Sequence, residues 1–168
     1  QGDMAGAQQY FRRALDIFPG YAMAHNNLGV MLNQQGRLDE AIHHYREAIR
    51  YNALYAPSYC NLGSALDKKG DSEGAIRNFR KALELNPLDS ASHNNWGNVL
   101  MKLGKRDDAI YHYKQATEVN PLNALAYYNW ANALARQRKF AEAVPLFEKA
   151  VEIEPNQAKF HLNLATAL

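Results

Sequence analysis

One cysteine, Cys60, stands among 168 residues, so an intrachain disulfide framework is excluded. No apolar run approaches the roughly 20 residues needed to cross a bilayer, and the start carries no signal-peptide pattern. The sequence is therefore expected to be cytoplasmic, without membrane insertion. Neither sign of charge prevails: 19 Lys and Arg stand against 17 Asp and Glu, interspersed, for a net charge of +2. That balance argues against nucleic acid as the main partner. Hydrophobic residues make up 47% of the chain, which suits packed helices and opposes disorder.

Catalytic patterns are scarce as well. The chain has no phosphate loop, nucleophile elbow or metalloprotease helix motif. His43 and His44 are adjacent and point to different helix faces, so they cannot chelate together. His112 lacks a Cys, Asp or Glu at a metal-binding spacing, and Cys60 lacks a local base. No catalytic residue, metal or cofactor is expected, and the chain is read as non-enzymatic.

What the sequence does have is a period of 34 residues. Asn27-Leu28-Gly29 is echoed by Asn61-Leu62-Gly63, Asn95-Trp96-Gly97, Asn129-Trp130-Ala131 and Asn163-Leu164-Ala165. Other columns follow in register: Ala41, Ala75, Ala109 and Ala143, then the aromatics Tyr45, Phe79, Tyr113 and Phe147, then Ala48, Ala82, Ala116 and Ala150. Pro19, Pro87, Pro121 and Pro155 close most units. A fixed period of this length with helical patterning signals stacked helix pairs, each burying its apolar face on its neighbours.

Each unit reads as two helices. The first, for example Ala22 to Gln35, carries Leu28 and Leu32 on one stripe. A turn at Gly36, Gly70 or Gly104 permits the left-handed conformation that ends a helix. The second, for example Leu38 to Tyr51, sets Ala41, Tyr45 and Ala48 on one face. Small alanines let helices approach closely and the aromatic fills the gap. Departures are few. Ala53 replaces the closing proline, Arg138 replaces the turn glycine at some conformational cost, and Ala131 and Ala165 replace a small packing glycine. Pro145 is expected early in its helix, where a missing N–H matters least.

These columns together resemble the tetratricopeptide repeat family over essentially the whole chain. The resemblance implies an all-α fold, a right-handed solenoid of stacked antiparallel helix pairs forming one domain over 1–168. Full repeats are expected at 22–55, 56–89, 90–123 and 124–157, with a second helix of a partial repeat over 1–21 and a first helix over 158–168. It also implies a non-enzymatic protein-interaction module whose first helices line a concave groove for an extended or helical partner segment.

On that surface the resemblance places Asn27, Asn61, Asn95, Asn129 and Asn163 as a ladder. An amide offers both donors and an acceptor, so such a row suits the backbone of an extended partner segment. The competing reading is purely architectural, with the amides bonding between repeats. If binding is the role, Asn61→Ala with Asn95→Ala should weaken partner binding and leave melting nearly unchanged. Three positions on, Asn98 and Asn132 add further amides. Seven positions on, Lys68, Lys102 and Arg136 form a basic stripe suited to an acidic segment or a carboxylate, and Tyr128 is a candidate aromatic contact.

The chaperone-tail clamp of some family members requires lysine one residue before the ladder. Asn26, Cys60, Asn94 and Tyr128 stand there instead, so that clamp is absent. The ladder also looks like the repeat arm of the O-linked N-acetylglucosamine transferases, which makes the substrate-recognition arm of a larger enzyme an alternative. A third reading is self-association: the opening Phe11, Leu15, Ile17 and Phe18 and the closing Leu162, Leu164 and Leu168 are apolar and begin and end in mid-repeat. Stacking of such ends would build homo-oligomers.

Overall fold

The computed structural model describes residues 4–168. Residues 1–3 of the opening half-repeat lie outside the described residues. Ten α-helices and no strand occur among those described. They are α1 Met4–Ile17, α2 Ala22–Gln34, α3 Leu38–Tyr51, α4 Ala56–Lys68, α5 Ser72–Leu85, α6 Ser90–Lys102, α7 Arg106–Val119, α8 Ala124–Arg136, α9 Phe140–Ile153 and α10 Ala158–Ala167. The first helix of each pair has 13 residues and the second 14, as α2 with α3 and α8 with α9 illustrate. The fold is the all-α one expected from the 34-residue period.

The chain divides into two compact units, one ending at Pro87 and the other beginning at Leu88. The first holds α1 to α5, the second α6 to α10. Within each, sequential helices pack antiparallel on one another. First helices also touch the first helix of the next pair: α2 meets α4, α6 meets α8, and α8 meets α10. Among the described residues, α3 does not touch α5 and α7 does not touch α9. Each unit therefore tightens on its first-helix side and opens on its second-helix side. The first helices line the inner face of each unit.

The repeating aromatic explains the pairing. Tyr45, Phe79, Tyr113 and Phe147 are all fully buried between alanines, each stabilising its unit by about 1.5–3 kcal/mol through area burial alone. In the first three repeats the glycine opposite the ring leaves no room for a Cβ unless the ring moves. A Cβ on Gly97 would fall 2.6 Å from Tyr113 Cε1, and one on Gly29 would fall 2.6 Å from Tyr45 Cε1. In the fourth repeat Ala131 packs, fully buried, in one cluster with Phe147 and Ala143.

The turns behave as their residues dictate. Gly36, Gly70 and Gly104 have φ of 77°, 86° and 76°. Arg138 holds the same place at φ 62°, the single non-glycine residue with positive φ among those described. The left-handed conformation costs a residue bearing Cβ roughly 1–2 kcal/mol. Pro145 corrects the sequence expectation. It is the sixth residue of α9 and lies inside the helix, beyond the first four positions whose N–H groups have no intrahelical partner. The helix thus forgoes one backbone bond there.

Candidate functional site

The amide column begins with burial. Asn27, Asn61, Asn95, Asn129 and Asn163 sit on α2, α4, α6, α8 and α10, all half-buried. The residue before each is buried in three repeats: Asn26 and Asn94 are 4% exposed and Cys60 8%. A buried amide must find partners, and these find each other. In the first unit, Asn61 Nδ2 donates to Asn26 Oδ1 at 2.9 Å, and Ser58 Oγ donates to the same oxygen at 3.2 Å. Asn26 Nδ2 in turn donates to Asn27 Oδ1 at 3.4 Å.

The second unit elaborates this scheme. Asn129 Nδ2 donates to Asn94 Oδ1 at 2.9 Å and to Asn98 Oδ1 at 3.1 Å. The Tyr113 hydroxyl donates to Asn98 Oδ1 at 2.9 Å. Asn163 Nδ2 donates to the Tyr128 hydroxyl at 3.0 Å and to Asn132 Oδ1 at 2.7 Å, while Asn132 Nδ2 donates to the Tyr128 carbonyl at 2.9 Å. The Nδ2 groups of Asn61, Asn129 and Asn163 are thus engaged between repeats. The Oδ1 atoms of the half-buried Asn61, Asn129 and Asn163 are hydrogen-bond acceptors by their chemistry. Asn61→Ala removes a bond between repeats, so a lowered melting temperature is expected of that substitution rather than an unchanged one.

A cavity of about 360 Å³ opens on the inner face of the second unit. Lys102, Tyr128, Asn129, Asn132, Arg136 and Asn163, all expected from sequence, line it together with Met101 and Tyr113. Asn95 and Asn98 do not line it, although Asn98 holds Asn129 in place. Asn27, Asn61 and Lys68 belong to the first unit, where Lys68 Nζ donates to Asn33 Oδ1 at 2.9 Å. Burial pushes the Tyr113 phenol above its ordinary value, with Arg136 offsetting part of the rise. The Tyr128 ring packs against Phe147 and Phe160, at centroid distances of 5.9 and 4.7 Å, and Lys159 Nζ lies 5.5 Å from its centroid. Among the described residues no group of three or more metal-ligating side chains forms.

Sequence reasoning missed two histidine pairs. His25 Nδ1 lies 3.0 Å from His44 Nδ1, and His93 Nδ1 lies 3.2 Å from His112 Nδ1. His25 Nε2 contacts the Pro19 carbonyl at 2.9 Å. A carbonyl only accepts, so His25 Nε2 is the donor in that contact. Burial, reinforced by the partner histidine, pushes both His44 and His112 down to about 4. The signal was available: both pairs have the same spacing of 19 residues.

Paired helices, glycine-gated aromatics and an amide-lined inner face define a helical-repeat protein of the interaction-scaffold type. Tetratricopeptide repeat profiles match residues 1–52 and 21–87, and others of that description match 94–158 and 128–168. The chain belongs to the tetratricopeptide repeat family. Among solved structures it is similar to MamA, at 27% identity over 94% of this chain and 92% of that one, with a TM-score of 0.78. It is also similar to YrrB, described as a tetratricopeptide protein with an unusual peptide-binding site, at 25% identity over 99% and 84%, TM-score 0.73. A chain of the Cut9–Hcn1 hetero-tetramer of APC/C matches in fold at 22% identity, covering 99% of this chain and 34% of that one, TM-score 0.90. A comparison with curated proteins finds no significant match. No helix among the described residues is long and apolar enough to cross a membrane.

Proposed function

We propose that the chain is a non-enzymatic protein-interaction module that binds an extended partner segment on the inner, first-helix face. The observation that carries this reading is the cavity in the second unit, which gathers six residues singled out for binding from sequence alone. Its polar groups divide the labour. The ladder Nδ2 atoms fix the spacing of repeats, and the ladder oxygens offer acceptors at half-buried positions to the N–H groups of a partner backbone. Amide oxygens read backbone rather than side chains, so the ladder contributes affinity without sequence preference. YrrB, by its description a peptide-binding relative, supports the same reading.

The test selects short linear peptides on the native chain and measures their affinity for Asn129→Ala. Removing two donor bonds at Asn129 should cost about 1–3 kcal/mol of stability, so the variant is first shown by urea unfolding to be folded at the assay temperature. Binding weakened at least several-fold in the folded variant supports the proposal. Lost stability with unchanged affinity would make the ladder architecture alone.

A further inference from the structure

The second unit's cavity holds an imbalance of charge and donors that binding of backbone alone leaves unused. Its first helices, α6, α8 and α10, contain no Asp or Glu, yet carry Lys102, Arg136 and Lys159. In the first unit Lys68 rests on the Asn33 oxygen one repeat earlier. The corresponding residue for Arg136 is Met101, which offers no oxygen, and both line the cavity. Both protons of Asn129 Nδ2 and both of Asn163 Nδ2 are committed to protein acceptors. The Tyr128 hydroxyl accepts from Asn163 and so keeps its own proton for another acceptor. Among the donors the cavity offers are the Arg136 guanidinium and the Tyr128 O–H, which lie beside the committed amides.

We infer that this cavity seats a carboxylate of the partner peptide, held by the Arg136 guanidinium with the Tyr128 hydroxyl as second donor. Guanidinium matches a carboxylate through two parallel N–H bonds, where lysine supplies only a point charge. The low-acid inner face adds attraction at longer range. The inference rests on the groove reading above and adds to it the chemistry that selects a partner: backbone held by ladder oxygens, one acid held by Arg136.

The experiment uses three fluorescein-labelled peptides. One alternates Glu and Ala and is amidated at its C-terminus. A second replaces Glu by Gln and is also amidated. The third is the Gln peptide with a free C-terminal carboxylate. Affinity is read by anisotropy on the native chain, Arg136→Gln, Arg136→Lys and Asn129→Ala. At least one carboxylate-bearing peptide should bind about tenfold tighter than the amidated Gln peptide, the scale of a charge-assisted hydrogen-bond pair. Arg136→Gln should erase that preference and Arg136→Lys should retain part of it. Preference for the first peptide assigns a side-chain acid, and for the third a chain terminus. Equal binding of all three peptides, no binding of any, or a preference that survives Arg136→Gln overturns the inference. If Arg136→Gln changes nothing while Asn129→Ala weakens all three alike, the carboxylate inference falls and the groove reading stands. If neither variant alters binding, both fall.

Discussion

Mild acid should destabilise this protein through His112, and the size of the effect follows from its surroundings. His112 is 9% exposed on α7, with its ring 4.1 Å from that of Trp96 and its Nδ1 3.2 Å from His93 Nδ1. Burial lowers its pKa from 6.5 to about 4, His93 acts in the same sense, and Asp108 opposes both. The folded value lies below the unfolded one, so the unfolded chain takes up the proton first. The stabilisation is fully present above 6.5 and is lost as pH falls towards 4. Between about pH 7.5 and about pH 5 the loss from this one group is about 2 kcal/mol. His44 is displaced in the same direction to about 4, but it is more exposed and adds a smaller share. Urea unfolding of the native chain and His112→Gln at several pH values measures the difference. The native chain should lose stability more steeply on acidification, by the stated amount. Parallel pH profiles for the two proteins would refute the burial argument.

Three further substitutions test the packing. Arg138→Gly relieves the positive φ and should raise stability by about 1 kcal/mol after the added freedom of glycine in the unfolded chain; an unchanged or lower urea midpoint contradicts it. Gly97→Ala drives a methyl into the Tyr113 ring and should cost about 1–3 kcal/mol by overpacking, with thermal melting as the readout and an unaltered melt as the contrary result. Pro145→Ala restores a backbone N–H inside α9 and should stabilise by up to about 3 kcal/mol. A fall in melting temperature would show instead that the ring makes contacts worth more than the lost bond.

The fold was legible because one packing problem recurs through the sequence. Alanine, aromatic and glycine return at 34-residue intervals, and the helices fall where those columns place them. Arg138 was legible for the same reason: a residue with Cβ in a glycine column must either move the turn or bear a positive φ, and it bears it. The site was legible only as a set of columns. Sequence position says that Asn129 shares a face with Asn95 and Asn163, but not which amide atom is spent on a neighbour. That depends on distances of 2.9 and 3.1 Å to Asn94 and Asn98, set by how closely α6 and α8 approach. The exchange of Asn33 for Met101 beneath the basic stripe was overlooked because that column carries no motif. The histidine pairs were overlooked because His44 and His112 were weighed only as metal ligands, not against His25 and His93. Pro145 was misjudged because the sixth residue of a helix was counted as early, although only the first four N–H groups lack an intrahelical partner.

Binding on the first-helix face of the tetratricopeptide units is the central claim, and a photo-crosslinking residue tests it while the partner is still unidentified. A benzophenone side chain replaces Lys102 on the inner face in one variant. In the other it replaces Tyr111, which is 58% exposed on the second helix α7. Each folded variant is irradiated in source-cell lysate. A discrete crosslinked partner, competed by unlabelled native chain, is expected from position 102 and none from position 111. A competed partner from position 111 alone would put binding on the second-helix face and contradict the account.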